Sequence, residues 1–377
     1  GTAIFKPGIQ GTLVNVSNRR NSSVAWGIFY QTVNIGGFLG PLVAGYMRKM
    51  EWRYVFLACA AIICINFLML LTYREPNKAE RLERARLRKA GGIVEKSLWR
   101  ESLHELSQTH VWLYLLIFSG FWFMFMSLFD VLPNHIQDWV DTRGVVNTLF
   151  GEGGPSNAMV RFFVVMSHDG REILPEGILN LNAGLIMTVC FAFAALSAKM
   201  PALTSMLVGT LLSTLALILS GYSIYGWLSV VAILVFSVGE MLSSPKFSEY
   251  IGNFAPSDKK AMYLGFSQIP LAIGWTLEGK LGLWLYDVYG SKERFAREAL
   301  ADKGWATDMI AKIPEGEAFQ RLVDVAGLDK WVVTDQLYRA HNPGIVWYIM
   351  GGVGVASAIG IYWYSKWIRS VGRVATR

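Results

Sequence analysis

Residues 227–251 read WLSVVAILVFSVGEMLSSPKFSEYI, an apolar run with Glu240 near its middle. A helix of about 20 mainly apolar residues crosses the hydrocarbon core of a bilayer, so this stretch predicts a transmembrane helix. Seven further stretches of similar character predict an all-α polytopic membrane protein. The eight predicted spans are 23–47, 52–72, 111–132, 179–198, 201–221, 227–251, 261–289 and 344–367. Residues 1–14 are interpreted as the inner end of one more span.

Composition and charge agree with this class. Of 377 residues, 53% are apolar and 17% are charged, which is more apolar surface than a water-soluble fold can bury. The net charge of +7 orients the chain, because one set of loops carries 18 Lys and Arg in 70 residues and the opposite set 14 in 111. The positive-inside rule places the first set in the cytoplasm. Its members are 15–22, 73–110, 199–202, 253–260 and 366–377. The predicted partners are therefore lipid and a small solute, with no nucleic acid and the oligomeric state open.

The spans fall into two groups. Residues 1–72 hold three spans, predicted as a partial N-terminal bundle, and 111–377 hold six, predicted as a C-terminal six-helix bundle. The charged segment 73–110 between them is predicted as a cytoplasmic linker. Because the chain opens at Gly1 without an initiator Met, we expect a truncated or processed N-terminus.

Two external insertions interrupt the second group, at 133–178 and 290–343. In the first, an apolar run at 162–165 followed by Asp169 and Gly170 predicts a small hairpin. The second has apolar residues at helical spacing and predicts helices over the outer mouth, either as an accessory cap or as filler between spans.

The sequence favours no enzyme class. Cys59, Cys64 and Cys190 lie inside apolar spans, and the five His residues have no partner at metal-ligand spacing. There is no phosphate-binding loop, nucleophile elbow or zinc motif. We therefore expect no catalytic residue, no metal site and no cofactor other than protons as a coupling ion.

Glu240 is the most informative residue, because a charge at the centre of a bilayer costs roughly 2.5–3.5 kcal/mol or more. Gly239 precedes it and Pro245 follows, which loosens the helix there. A carboxylate in this place is expected to gain and lose a proton as its surroundings wet and dry, as proton coupling requires. The alternative is a structural ion pair with Lys246 or Lys280.

Other ionisable residues in the spans leave alternatives open. Lys6 either holds a substrate carboxylate or an internal acid, or extends towards lipid headgroups. Asp130 lies two residues from the end of its span, where an interfacial role and a site role are both open. Glu278 and Lys280 are two residues apart on different helix faces, so each needs a partner on another helix.

Residues 29–45 add polar groups and small residues within one span. Tyr30 and Asn34 share a helix face and can offer a hydroxyl and an amide to a polar solute, or can simply cross-link helices. Gly36 and Gly40 form a small-xxx-small pair that permits close helix approach.

Three motifs in order resemble the proton-dependent oligopeptide transporters, a branch of the major facilitator superfamily. Residues 1–7, GTAIFKP, are similar to the family's fourth-helix Gly-x-Gly-x-x-Lys-Pro, with Ala3 in place of the second glycine. Residues 29–36 resemble the fifth-helix signature, and 239–245, GEMLSSP, the tenth-helix Gly-Glu-Leu-x-x-Ser-Pro. The resemblance implies two six-helix bundles, a midplane site and alternating access. It also implies that three helices are missing here, together with the Glu-x-x-Glu-Arg motif of the first.

The resemblance also implies site roles. Lys6 would face a substrate carboxylate, Tyr30, Asn34 and Asn182 would line the pocket, and Glu240 would serve a substrate amino group or a proton. Met126 and Ser127 stand where the family has an acidic residue and a glutamine. Asp130, one turn later on the same face, is the candidate to replace that acid in proton coupling.

A second pattern competes with the first. Gly36-x-x-x-Gly40-Pro41-x-x-Ala44-Gly45 is similar to the fifth-helix motif of proton-coupled drug antiporters. Our leading interpretation is proton-coupled uptake of a small polar solute, with di- and tripeptides as candidates, across a bacterial inner membrane. The alternatives are a proton-coupled drug or metabolite exporter of the same superfamily, and a non-transporting receptor or scaffold acting through 290–343.

Overall fold

The structure, a computed structural model, describes residues 2–17, 21–48, 51–72, 78–89, 97–256 and 259–372. These ranges are helical, with extended pairing limited to two isolated β-bridges. The helices are α1 (Thr2–Val16), α2 (Ser22–Arg48), α3 (Trp52–Leu70), α4 (Lys78–Lys89), α5 (Leu98–Leu106), α6 (Thr109–Asp130), α7 (Leu132–Trp139), α8 (Arg143–Phe150), α9 (Ala158–Val164), α10 (Pro175–Ser197), α11 (Ala202–Ser220), α12 (Gly226–Phe254), α13 (Lys260–Phe266), α14 (Gln268–Tyr289), α15 (Lys292–Asp302), α16 (Thr307–Ala311), α17 (Ala318–Ala326), α18 (Lys330–His341) and α19 (Ile345–Ser370).

The predicted spans coincide with helices. Within the described ranges, α6, α10, α11, α12 and α19 are long and apolar enough to cross a membrane. The span predicted at 261–289 is divided at Ser267 into α13 and α14. Pro270 accounts for the division, because its ring has no N–H to bond the carbonyl of Phe266 and crowds that carbonyl.

The long helices pack as a bundle around α12. Helix α6 packs against α14 and α19, α11 packs against α12 and α19, and α10 packs against α12. Helix α12 is apolar on all sides and buries most of its length, as expected for a central helix. Helix α2 joins the bundle through α10 and α12, so it links the part before the 73–110 segment to the part after it. The division at 1–72, 73–110 and 111–377 stays a prediction.

Glycines bring α11 and α12 into close contact. A Cβ added at Gly239 would lie 2.5 Å from the carbonyl oxygen of Gly209, and one added at Gly209 would lie 2.4 Å from the carbonyl oxygen of Gly239. Such distances admit no side chain on either helix without a shift of backbone. This contact holds the backbone of α12 against α11 at Gly239, the residue that precedes Glu240.

The insertion at 290–343 forms four helices, α15 to α18, as predicted. Their apolar faces meet Trp139 of α7 in a small core with Phe295, Leu300, Leu322 and Leu337. Trp139 also donates a hydrogen bond from Nε1 to the carbonyl of Gly290 at 2.7 Å, which ties the two insertions together.

The predicted hairpin at 162–171 is largely wrong. Phe162, Phe163 and Val164 complete α9, which begins after Asn157, whose side chain accepts from the backbone N–H of Met159. What remains of the hairpin is one antiparallel bridge between Met166 and Ile173, closed by a turn with Gly170 at φ +74°. The helix cap outweighs the strand preference of the apolar run.

Candidate functional site

Glu240 lies at the junction of three helices. It is carried by α12 and is only 1% exposed. Tyr30 of α2 donates a hydrogen bond from its hydroxyl to Glu240 Oε1, and Asn182 of α10 donates from Nδ2 to Oε2 at 2.8 Å. Each carboxylate oxygen therefore has one donor, and each donor comes from a different helix.

A serine on α12 completes this group. Asn182 Nδ2 also donates to Ser237 Oγ at 3.0 Å, and Ser237 in turn donates to the carbonyl of Ile233 at 2.7 Å. Both amide hydrogens of Asn182 are thus used on α12. Ser237 was not among the predicted site residues, although its position three residues before Glu240 places it on the same helix face.

The alternative of an ion pair between Glu240 and Lys246 is wrong. Lys246 lies 2.9 Å from Glu249 Oε2 and donates to Ser23 Oγ at 2.6 Å. Lys280, the other candidate partner, is exposed on α14. Among the described side chains, the polar partners of Glu240 are the neutral groups of Tyr30 and Asn182.

A small cavity of about 40 Å³ adjoins this group. Tyr30 is the member of the group that lines it, so one side chain contacts both the Glu240 carboxylate and the cavity. A space of this size holds one or a few water molecules where its walls are polar. The polar side chains of its wall are Gln10, Tyr30, Ser244, Ser248, Ser267 and Gln268.

The other predicted site residues divide into three cases. Asn34 does not reach the Glu240 group, because its Nδ2 donates to the backbone carbonyl of Tyr30, one turn earlier in α2, at 3.0 Å. Asp130 lies against α14, where its Oδ2 accepts from Trp275 Nε1 at 2.8 Å. The side chain of Lys6 lies outside the described part of the chain, so its predicted role stays a prediction.

The glycine pair of α2 does not make the predicted close contact within the described residues. No described atom lies within 4 Å of a Cβ added at Gly36 or Gly40. Close approach of α2 and α10 occurs instead at Gly27, where an added Cβ would lie 2.3 Å from Ala194 Cβ. This contact lies one turn before Tyr30.

Glu278 is a second buried acid, for which no site was predicted. It is 0% exposed on α14, and neither carboxylate oxygen has a hydrogen-bond donor. The carboxyl group with which it interacts is that of Asp130 on α6. This pairing could not be predicted from the sequence, because 148 residues separate the two positions.

A second cavity, of about 440 Å³, lies among the insertions. Its wall includes Lys292, which is 7% exposed and donates to the carbonyl of Asp138 at 2.6 Å. Burial lowers the pKa of Lys292 to about 7, and burial also raises the pKa of Asp138. Lys292 lies 3.6 Å from the ring centroid of Phe319, a cation–π distance.

Sequence similarity to known proteins shows the family of this chain. A sequence profile described as Major Facilitator Superfamily matches residues 1–277. The chain belongs to the Major Facilitator Superfamily. It is therefore an integral, multi-pass membrane protein of the inner membrane, in a family of carriers, and the predicted superfamily and location are confirmed.

Curated relatives are distant but cover most of the chain. A Na(+), Li(+), K(+)/H(+) antiporter of Planococcus maritimus is 22% identical over 330 residues, covering 77% of this chain and 72% of the antiporter. The multidrug resistance protein MdtH of Edwardsiella ictaluri is 20% identical over 293 residues, covering 76% of this chain and 62% of MdtH. MdtH of Yersinia pestis is 21% identical with the same coverage.

These relatives revise the finer prediction. Their names describe an antiporter and a multidrug resistance protein, so they do not support the peptide branch or symport. The short glycine motif at 36–45, which the sequence analysis placed second, points in the direction that the relatives favour. The predicted absence of three helices stays a prediction, and the chain spans about three fifths of MdtH.

Proposed function

We propose that this protein is a proton-coupled exporter of the Major Facilitator Superfamily, exchanging protons for a lipophilic or monovalent cation. The Glu240 carboxylate, buried between α2, α10 and α12, carries the proposal. The antiport and multidrug names of the relatives support the direction of transport. A membrane-embedded acid with polar partners on neighbouring helices is typical of proton relays in transporters.

The geometry suggests how protonation moves helices. Tyr30 and Asn182 both donate to Glu240, so both bonds can form only when both carboxylate oxygens act as acceptors. A proton on either oxygen removes the charge that strengthens these hydrogen bonds, which weakens the contact of α12 with α2 or α10. Protonation then favours separation of α2 from the later helices, which is the kind of movement that alternating access requires.

Substrate cation and proton would compete through the same carboxylate. A cation that approaches from the cavity beside Tyr30 is attracted by ionised Glu240 and is released when Glu240 is protonated. Exchange follows from this competition, because the carboxylate cannot neutralise both at once. This is the difference from uptake, in which proton and solute are bound together.

Flux measurements on proteoliposomes containing the full chain test the direction. Vesicles are preloaded with labelled tetraphenylphosphonium or with sodium-22, and an inward proton gradient is applied. We expect gradient-dependent efflux of at least one of these probes, with no efflux from protein-free vesicles. The Asp287→Asn variant is the matched control, because Asp287 is an exposed acid on α14.

The same vesicles test the second candidate, proton-coupled uptake. The observation in its favour is that Tyr30, Asn182 and Glu240 come together as the peptide-transporter resemblance implies. Accumulation of a labelled dipeptide under the inward gradient, without efflux of either cation, would show that the protein takes up solute and does not export cations.

A further inference from the structure

Asp130 and Glu278 bring two carboxyl groups together between α6 and α14. Glu278 is completely buried, and neither Oε1 nor Oε2 has a hydrogen-bond donor. Gly282, one turn later, leaves room for this side chain, since a Cβ there would lie 2.5 Å from Glu278 Oε1. The carboxyl group of Asp130 adjoins that of Glu278. The unpartnered acid is therefore directed at a second acid.

The surroundings stabilise a negative charge on only one of the two carboxyl groups, that of Asp130. Asp130 Oδ2 accepts a hydrogen bond from Trp275 Nε1 at 2.8 Å, which stabilises a charge on Asp130. Lys280, the nearest cation in sequence, is exposed on another face of α14. From α19, the methyl group of Met350 reaches Gly282 and contributes no charge. Among the described residues, nothing offers Glu278 a donor or a positive charge.

Two ionised carboxylates cannot be neighbours in such a place at low cost. Like charges in close contact hold one of the pair in its protonated form, as in acid dyads. A protonated Glu278 supplies the missing hydrogen: its O–H donates to Asp130, whose charge is stabilised by Trp275. One proton then joins one oxygen of Glu278 to one oxygen of Asp130.

We propose that Asp130 and Glu278 form a proton-binding site that holds one shared proton, separate from Glu240. The proton enters from water and resides on a Glu278 oxygen, with an Asp130 oxygen as acceptor. No bond other than the O–H bond forms or breaks. The site does not depend on the proposed export, although in an exporter it would supply a second exchangeable proton.

Infrared difference spectroscopy on the full chain in lipid membranes tests the proposal, because a protonated carboxyl group has its own carbonyl band. At neutral pH the Glu278→Gln variant should lack the absorbance of one protonated carboxyl group that wild type shows. The Asp287→Asn variant should keep it. Glu240→Gln should keep it as well, which separates this site from the proposed transport site.

Asp130→Asn provides a second readout that does not require removal of Glu278. It replaces a charged acceptor by a neutral one, so the Glu278 band should persist and move to higher frequency. Wild-type and Glu278→Gln spectra that are identical at neutral pH would show an ionised Glu278 and overturn the proposal. Loss of the wild-type band on addition of sodium chloride, but not choline chloride, at constant pH would assign a cation site instead.

Since these spectra record protonation and not flux, they distinguish the two proposals. A protein that transports neither cation but shows the Glu278 band would refute the export and leave the shared proton intact. A protein that exports either cation but lacks the Glu278 band would support the export and refute the shared proton.

Discussion

Glu240 and Glu278 are both buried carboxyl groups on long helices of the same bundle, yet their surroundings differ. Glu240 has one donor for each oxygen, from Tyr30 and Asn182, whereas Glu278 has no donor and faces Asp130. Two neutral hydrogen-bond donors stabilise the ionised form of a carboxyl group, which can then attract a cation. A carboxyl group beside another acid retains its proton, because a neighbouring negative charge disfavours ionisation. Burial alone does not decide the role of an acid in a membrane protein.

The largest expected effect is that of Glu240→Gln. The amide keeps the shape of the side chain but cannot exchange a proton, so gradient-driven flux should fall by at least about 100-fold, as when a proton-carrying group is removed. Exchange of labelled for unlabelled probe without a gradient should fall as well, because the neutral amide no longer attracts the cation. Glu249→Gln is a matched control on the same helix, since Glu249 is paired with Lys246. Unchanged gradient-driven flux in Glu240→Gln would show that another residue couples protons to transport and that Glu240 does not have the proposed role.

Removal of one donor should have a smaller effect. Tyr30→Phe leaves one carboxylate oxygen without its partner, and a hydrogen bond to a charged group contributes about 1.5–3 kcal/mol. We expect gradient-driven flux to fall by about tenfold to a hundredfold. Asn34→Ala serves as the control in the same helix, because Asn34 donates only to the Tyr30 carbonyl. Equal losses in both variants would mean that α2 as a whole, and not the Tyr30 hydroxyl, supports Glu240.

Gly239→Ala should disturb one buried acid and spare the other. The added Cβ would lie 2.5 Å from the Gly209 carbonyl oxygen, so α11 and α12 must separate. Overpacking of this kind costs about 1–3 kcal/mol, which thermal unfolding in detergent can measure. The Glu278 infrared band should not change. Gly36→Ala, where no described atom lies within 4 Å, should leave the melting temperature near that of wild type.

A third buried charge, Lys292, gives the smallest expected effect and lies outside the membrane spans. Burial lowers its pKa to about 7 from the usual lysine value of 10.5, so between these values the unfolded chain binds a proton that the folded chain does not. The free energy of unfolding should therefore rise with pH from about pH 7 to about pH 10.5. The charged groups that face or line the same cavity are Asp138, Glu172, Glu293 and Lys330.

Lys292→Met removes this dependence on pH. The variant should be more stable than wild type at about pH 6, by about 1–2 kcal/mol, because no charge is buried. The two proteins should converge as the pH rises. If the melting temperatures of the two proteins change with pH by the same amount across this range, burial does not favour the neutral amine of Lys292 in the folded protein.

Local sequence features predicted the helices and one buried acid. The apolar runs placed the long helices, and Glu240 stood out because it interrupts such a run. Pro270 was also a visible signal, and its effect on the 261–289 span could have been predicted from the missing N–H. Asn182 was reached only through family resemblance, because an amide in an apolar span has many possible partners.

Pairings between distant helices could not be predicted. Asp130 and Glu278 are far apart in sequence, and each has an ordinary local environment in its own helix. The loss of Asn34 from the site has a similar cause: helix periodicity places it on the face of Tyr30, but its amide bonds to its own backbone. In the proposed exchange, the direction of transport depends on competition between proton and cation at Glu240, which no single motif encodes.

The most direct test of the account is proton release on substrate binding. The full chain in weakly buffered detergent is mixed with sodium chloride or tetraphenylphosphonium chloride, with choline chloride as the control, and the pH is followed with an indicator dye. If proton and cation compete for Glu240, wild type releases one proton more per bound cation than Glu240→Gln does. Equal release by the two proteins, with equal binding of the cation, would contradict it.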